Sequence, residues 1–180
     1  MSNTSALTSG TWNIDPSHSL VGFTVRHLMI SKVRGSFHSF SGVITVGDSI
    51  EDAKVEVSVD LASVSTGDAN RDGHLLGSDF FNVEKTPTMT FVSDRIEADG
   101  DEGKMHGILT INSISKPVTL NVEFGGLGQD PWGGTRAGFS AHTEINRKDW
   151  GIDFNIPLEA GGFVVGDKVK IDIDLEAVKA

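Results

Sequence analysis

Apolar and polar residues alternate along most of the chain, and the alternation is most regular in the last segment. There, apolar side chains occupy every second position from Val169 to Ala177, with charged side chains between them. Successive side chains of a β-strand point to opposite faces, so this pattern predicts a strand with one apolar face. Seven more segments show the same alternation, which gives eight predicted strands. They lie at about residues 19–28, 33–46, 55–61, 88–96, 105–111, 118–124, 137–145 and 168–178.

One segment has the pattern of a helix rather than of a strand. Within residues 65–82, Asp68 is placed to cap a short helix that runs through Leu76, and Gly77 is a stop signal. Short turns between evenly spaced strands indicate an all-β barrel or sandwich, and the length of the strands favours the barrel. The predicted fold is an all-β barrel of eight strands whose short helical insertion plugs or covers one end.

Small residues at inward positions bear on whether the barrel is filled. Ala137, Ala141 and Thr143 share the inward face of the seventh strand, and Gly107 lies on that of the fifth. Small side chains in an otherwise bulky wall leave volume unfilled, which favours a cavity. An eight-stranded barrel has room either for a packed core or for one small ligand, and both interpretations stay open from the pattern alone.

Composition and charge exclude several classes of function. The chain has 180 residues, no cysteine and a formal net charge of −10. Nucleic acids and anionic membranes need clustered positive charge, so neither is expected as a main partner. No apolar run approaches the ~20 residues that span a bilayer. The first ten residues lack the features of a secretory signal, which predicts a cytoplasmic protein and leaves open an exported form whose signal was removed.

The sequence offers little support for metal binding or catalysis. Six histidines are scattered along the chain without a pair at the usual ligand spacing. No serine nucleophile elbow is present, and Asp15 and His18 are typical of a turn before a strand. We therefore predict no metal ligand, no catalytic residue and no cofactor.

A series of short motifs in a fixed order resembles the YceI-like family of lipocalin-like, polyisoprenoid-binding proteins. The resemblance extends from about Trp12 to Val178, and the joint order of the motifs makes it specific. The motifs are DPSHS at 15–19, VGF at 21–23, VRGSF at 33–37, STG at 65–67, RDGHL at 71–75, DFF at 79–81, KTPT at 85–88, GILTI at 107–111, KPVTL at 116–120, GFSAHTEINR at 138–147 and WG at 150–151.

The resemblance implies an eight-stranded antiparallel, lipocalin-like barrel that holds an isoprenoid chain or a similar amphiphilic lipid, such as a quinone-like one. It assigns residues 11–180 to a YceI-like β-barrel domain and leaves residues 1–10 as a disordered tail. A homodimer is compatible with this organisation, because it would cover open strand edges. The inward residues expected to contact the ligand, for each of which core packing is an equal alternative, are Phe23, Val25, Phe37, Val57, Met89, Phe91, Leu109, Leu120, Val122, Phe139 and Ile173.

Three polar residues are candidates for contact with the head group of such a lipid. Arg71 and His74 belong to the densest polar cluster of the chain, and Arg147 follows the seventh strand. An arginine at the mouth of the barrel could bind a phosphate or carboxylate. The structural role, in which each arginine fastens neighbouring turns, is favoured, and binding of a head group stays open as the alternative.

The leading functional hypothesis is a protein that carries, stores or sequesters a lipid. One alternative is an enzyme that acts on a small apolar substrate in the same pocket. Another is a structural domain whose barrel is filled by its own side chains.

Overall fold

The computed structural model describes residues 7–159 and 161–180, which form eleven strands, one α-helix and four short 3-10 turns. The turns are Pro16–His18, Ile50–Asp52, Leu61–Ser63 and Arg147–Trp150, and the helix, α1, is Ala69–Leu75. The strands are β1 Gly10–Ile14, β2 Leu20–His27, β3 Ser31–Phe37, β4 Phe40–Val46, β5 Lys54–Asp60, β6 Val64–Ser65, β7 Thr88–Asp99, β8 Glu102–Ile111, β9 Ile114–Gln129, β10 Thr135–Asn146 and β11 Val165–Lys179.

Six of the eleven strands join end to end in pairs, so the wall consists of eight long strands. Strands β1 and β2 both pair with β11, as the partners Trp12↔Lys179 and Val21↔Ile173 show. Strands β3 and β4 run along this first long strand, while β5 and β6 run along β4 and β3 in turn. Each long strand is antiparallel to its neighbours in the chain, and β1 closes the ring on β11. The predicted eight-stranded antiparallel barrel is confirmed.

The three composite strands are interrupted at about the same level of the barrel. The first is broken by the turn Pro16–His18, the second at His38–Ser39 and the third by the turn Leu61–Ser63. The backbone amide of Asp60 donates to the Ser39 carbonyl over 2.9 Å, which ties two of these breaks together. The breaks divide the barrel into two halves with different interiors.

One half is filled by its own side chains, and we call it the packed end. It contains the ends of β9 and β11, the start of β10, and β1 and β4. Trp12 is almost fully buried there, and Ala137 and Ala177 are completely buried. The buried side chains of this cluster are Leu7, Trp12, Ile44, Val46, Val55, Phe124, Ala137 and Ala177.

The predicted tail of residues 1–10 lies partly outside the described residues, which begin at Leu7. Leu7 is buried in the packed end, and Gly10 is the first residue of β1. Sequence patterning did not predict β1, because Trp12 and Ile14 alone are too short a run to establish a period of two.

The other half, which we call the open end, is covered by α1 and the turn Arg147–Trp150. Asp68 caps α1 by accepting a hydrogen bond from the Arg71 amide over 2.9 Å. Trp150, the last residue of the turn Arg147–Trp150, is buried and donates its indole N–H to the Leu109 carbonyl over 2.9 Å. These two elements hold the residues around the mouth of the barrel in place.

Candidate ligand-binding cavity

The open end contains an apolar cavity of about 350 Å³. This volume lies at the lower end of the range for small-molecule sites in proteins, which runs from about 300 to 1,000 Å³. Its wall is formed by inward side chains of β2, β3, β7, β8, β10 and β11, and its rim by α1 and the loops at residues 80–81 and 152–156. Among the lining residues are Val25, Met89, Ile145, Val169 and Ile171.

Two glycines in the wall keep phenylalanine rings close to the strands. A Cβ added to Gly35 would overlap the ring of Phe23, and one added to Gly107 would lie 2.5 Å from the Cζ of Phe91. Both rings therefore cover the backbone of these glycines. The expectation that Gly107 leaves empty volume is wrong, because the ring of Phe91 occupies that space. The same arrangement at Gly35 lets Phe23 lie along the wall of the cavity.

A second, smaller cavity of about 90 Å³ lies at the packed end. Val122, Phe139 and Ala141 line it, together with Leu7 and Leu175. Of the small inward residues in β10, Ala141 therefore borders unfilled volume, whereas Ala137 is completely buried in the packed cluster. Thr143 uses its hydroxyl to donate to the Thr119 carbonyl over 2.8 Å.

The sequence-predicted ligand residues divide into three groups. Eight line the large cavity together: Phe23, Val25, Phe37, Arg71, His74, Met89, Leu109 and Arg147. Val122 and Phe139 border the smaller cavity at the other end and not the large one. Val57, Phe91, Leu120 and Ile173 face the interior but line neither of these two cavities. Val57 packs against both the packed cluster and the cluster in the middle of the barrel.

Arg71 lies at the rim of the cavity and is held by the segment before α1. Its Nε donates to the Thr66 hydroxyl over 2.7 Å, and its Nη2 donates to the Thr66 carbonyl over 2.8 Å. Asp72 accepts hydrogen bonds from the amide and the hydroxyl of the same threonine. Arg71 therefore fastens a turn and also borders the cavity, where its contact with a head group stays a prediction.

Arg147 is buried to 4% exposure beside the cavity, which is unusual for a charged side chain. Its Nη1 donates to the Ile152 carbonyl over 2.7 Å, and its Nε donates to the Gly166 carbonyl over 2.8 Å. Burial lowers the pKa of the guanidinium, and the carboxylates of Asp167 and Asp153 oppose this effect. These contacts join the turn after β10 to the start of β11.

His74 forms an aromatic cluster at the mouth with Phe80 and Phe154. Its ring meets each of the two phenylalanine rings edge-on at a centroid distance of 5.0 Å. Its Nε2 lies 2.9 Å from the Oδ2 of Asp79, which fixes the orientation of the ring. The cluster places one polar group among apolar side chains at the entrance.

Sequence analysis missed the contribution of the segment between β10 and β11. Trp150, Ile152, Phe154, Ile156 and Val164 all line the large cavity. They have no period of two because the segment is a loop, and alternation was the signal used to choose inward residues. The family motif WG at 150–151 was the one signal in the sequence that pointed to this loop.

Within residues 7–159 and 161–180, no group of three or more histidine, aspartate or glutamate side chains is gathered in a way that could hold a metal ion. No helix in the same ranges is long and apolar enough to cross a membrane.

Comparison with known proteins shows the family of this barrel. The sequence model of the YceI-like domain family matches residues 12–177, which is nearly the whole chain. The chain belongs to the YceI-like family. Its strand breaks, short helix and apolar cavity are thus features of a YceI-like domain, and the resemblance found in the motifs is confirmed.

Curated YceI-like relatives are similar over most of their length. Protein YceI of Escherichia coli O157:H7 is 41% identical over 163 residues, which cover 90% of this chain and 82% of that protein. A UPF0312 protein of Pseudomonas aeruginosa, strain LESB58, is 41% identical over 140 residues, which cover 77% of this chain and 73% of the relative.

Solved structures share the YceI-like fold. A Campylobacter jejuni YceI protein superposes with a TM-score of 0.72 at 33% identity, covering 86% of this chain and 90% of the other. Burkholderia cenocepacia BcnA superposes with a TM-score of 0.74 at 23% identity, covering 91% of this chain and 98% of BcnA. A polyisoprenoid-binding domain from Saccharophagus degradans superposes with a TM-score of 0.72 at 16% identity, covering 94% of this chain and 98% of that domain. The last two likenesses concern the fold alone.

Proposed function

We propose that this YceI-like domain binds an isoprenoid or similar amphiphilic lipid in the cavity of the open end, and that it carries, stores or sequesters that lipid. The observation that carries the proposal is the apolar cavity of about 350 Å³, with arginine and histidine side chains at its rim. The Saccharophagus degradans domain of the same fold supports the isoprenoid class of ligand.

The apolar wall supplies enough affinity for such a ligand without any reactive group. Each buried methylene contributes about 0.8 kcal/mol, so a few isoprene units give a micromolar dissociation constant after the costs of association. Apolar side chains such as Val25, Met89 and Ile171 face the ligand in this arrangement. The wall therefore sets the affinity through the length of chain that it covers.

The rim sets the orientation of the ligand. Two hydrogen bonds occupy the Nε and Nη2 of Arg71, and among the described residues its Nη1 has no acceptor. His74 presents a ring fixed by Asp79 beside it. A head group with acceptor oxygens, such as a quinone carbonyl or a phosphate, fits the free Nη1 donor of Arg71 with the apolar chain directed inward.

Direct identification of the bound lipid tests the proposal. The purified protein is denatured and extracted, and the extract is analysed by mass spectrometry. We expect a prenylated or similar amphiphilic lipid with an unaltered structure after incubation with the protein. Conversion of an added isoprenoid into a product would instead favour an enzyme that uses the same pocket.

A titration with decylubiquinone separates the two cavities. Trp150 borders the large cavity, so a bound quinone should quench its fluorescence in a Trp132→Phe background that removes the exposed tryptophan. The variant Ile171→Trp fills the large cavity, and we expect at least tenfold weaker binding when it is measured by isothermal titration calorimetry, since the added tryptophan would disturb the fluorescence signal. The matched control is Ala141→Leu, which fills the small cavity and should leave the affinity unchanged.

These outcomes decide between the carrier and its alternatives. Both substitutions add volume to the interior, an overpacking that costs about 1–3 kcal/mol, so thermal unfolding of both variants must be compared. Equal loss of binding in both, or no lipid in the extract together with no quenching by decylubiquinone, would refute a ligand in the large cavity.

A further inference from the structure

Apolar side chains are exposed together at two loops beside the mouth of the cavity. Ile30 is 83% exposed and Met29 56% in the turn between β2 and β3, and Phe163 is 49% exposed in the loop before β11. A buried apolar side chain is the usual outcome in a folded domain, and a contiguous exposed group marks an interaction site. We define the portal patch as Leu28, Met29, Ile30, Ile156 and Phe163.

The two loops touch each other, so the portal patch is one surface. The Leu28 amide donates to the Val164 carbonyl over 2.9 Å. A Cβ on Gly162 would lie 3.3 Å from the Cγ of Met29. Ile156 also lines the large cavity, which places the patch at its entrance.

The backbone of the β2–β3 turn is strained by the residues that it carries. Leu28 and Met29 have φ angles of 53° and 64°, in a left-handed region that large side chains rarely adopt. The β8–β9 turn, at the same end of the barrel, has the same angles at Asn112 and Ser113, and asparagine is well suited to them. Leu28 and Met29 thus keep apolar side chains at positions where polar residues are preferred.

A basic groove borders the portal patch. Arg26, Lys32 and Lys170 line it with Met29 and Phe163, and none of these three cations forms an ion pair with another described residue. Two carboxylates also line the groove, but each is paired with a lysine. Glu144 lies 3.6 Å from Lys168, and Asp167 lies 3.3 Å from Lys148.

The placement of the cations is unfavourable for the barrel itself. Arg26 and Lys32 are direct partners across β2 and β3, and like charges opposite each other destabilise a sheet. The chain as a whole has a net charge of −10. The net charge alone argued against an anionic membrane as a main partner, but the fold gathers unpaired cations around exposed apolar tips, and this local surface complements an anionic partner.

We propose that the portal patch and the basic groove dock this protein on the surface of an anionic lipid bilayer. Apolar tips enter the interfacial layer while cations contact the head groups, which are the two contributions that hold peripheral proteins at membranes. Arg26 and Val165 line both the groove and the large cavity. Docking therefore brings the mouth of the cavity to the bilayer, so that an apolar ligand passes between them without crossing water.

Vesicle flotation with the full chain tests the docking. Vesicles of phosphatidylcholine alone are compared with vesicles that also contain phosphatidylglycerol, at low and at physiological salt. We expect binding to the anionic vesicles only, with weaker binding as salt rises. The double variant Leu28→Asn, Met29→Ser installs the residues of the β8–β9 turn, and it should reduce binding at least tenfold while the thermal stability stays equal or increases.

Matched controls come from the opposite end of the barrel. Neutralising Arg26 and Lys32 to glutamine should abolish the preference for anionic vesicles, whereas neutralising Lys54 and Lys104 should not. The chain has no cysteine, so an environment-sensitive dye can be placed at Ile30→Cys or at Trp132→Cys. Trp132 is also 83% exposed. The dye should brighten on anionic vesicles at position 30 and stay unchanged at position 132.

Two results would overturn the docking. One is failure to bind anionic vesicles at low salt, in which case an acidic protein surface would be the remaining partner for the patch. The other is equal binding by the turn variant and the parent protein. Since the filled-cavity variant Ile171→Trp should still bind vesicles, the docking can fail or succeed separately from the lipid-binding function.

Discussion

The two ends of this barrel are built from the same strands, yet one is filled and the other is hollow. At the packed end, Trp12 and Leu7 occupy the interior and leave a cavity of about 90 Å³. At the open end, inward side chains of the same strands face a cavity of about 350 Å³. Apolar and polar residues alternate in long strands that contribute to both ends, such as β10 and β11. A strand pattern therefore determines which way a side chain points, and the residues that cross the barrel determine whether its interior is filled.

The two ends of the barrel also differ in how they are closed. At the packed end, β1 is held between β11 and β4, and Arg136 joins three acidic side chains around this region. At the open end, α1 and the loop between β10 and β11 cover the mouth without filling it. The packed cluster and the large cavity thus lie in different halves of one barrel, and substitutions in each half should have different effects.

The largest expected effect is the removal of Trp12 from the packed end. Trp12 is 1% exposed, and its indole N–H donates to the Thr8 carbonyl over 3.0 Å. The variant Trp12→Ala should lower the free energy of unfolding by about 3–5 kcal/mol, as is typical of large buried aromatic side chains. Chemical denaturation monitored by circular dichroism measures this change. A loss below about 1 kcal/mol would show that the packed end does not depend on this residue.

A second prediction compares one substitution at the two ends. Ile44 is 6% exposed at the packed end, so Ile44→Ala removes a buried side chain beside a cavity of only about 90 Å³ and should cost about 2–5 kcal/mol. Ile171 is only partly buried beside the larger cavity at the open end, so Ile171→Ala removes fewer packing contacts. Its cost should be nearer the transfer of a partly exposed side chain, about 1 kcal/mol. Equal losses in the two variants, measured by the same denaturation experiment, would contradict the distinction between the ends.

The smallest effect concerns the charges that surround the packed end. Arg136 donates from Nη1 to Asp15 and to Glu176 over 2.8 Å each, and from Nε to Asp130 over 2.9 Å. Hydrogen bonds from Ser17 and Arg136 hold the pKa of Asp15 well below its ordinary value, and Arg136 also lowers the pKa of Asp130.

The sign of the resulting pH dependence follows from these lowered pKa values. Ionised aspartates stabilise the fold above the pKa of the unfolded chain, about 3.9, and this stabilisation is lost as the pH falls further toward the folded-state value. Arg136→Met should therefore lower the melting temperature at neutral pH, and the difference from the parent should shrink below about pH 4. A difference that stays constant down to pH 2 would refute the role of these carboxylates.

The sequence was sufficient for the fold and for part of the site. Alternation gave the eight long strands, and the cap at Asp68 gave the helix. Val25 and Met89 were placed at the cavity correctly as inward residues, but the same rule chose Val122 and Phe139, which border the smaller cavity at the other end. Position along the barrel axis depends on how far each strand is shifted against its neighbours, and a single sequence does not contain that shift.

Two further features depend on tertiary contacts and could not be predicted. The loop that contributes Ile152 and Phe154 to the cavity is placed by the buried side chain of Arg147, whose acceptors are backbone carbonyls with no signature in the sequence. The ring of Phe91 lies over Gly107, so a glycine expected to leave room is already covered. A small residue predicts a small side-chain volume at its own position. Whether the adjacent space stays empty depends on neighbouring side chains, such as the ring of Phe91.

The seam between β3 and β6 has a consequence for how wide a ligand the barrel can admit. Only two residue pairs, Ser36↔Ser65 and Phe37↔Val64, join these strands, whereas β10 and β11 are joined along eleven. Local opening begins where the fewest contacts must be broken. We therefore expect the wall to loosen first along this seam, beside the cavity residue Phe37, and the extent of that loosening to limit how bulky a ligand enters.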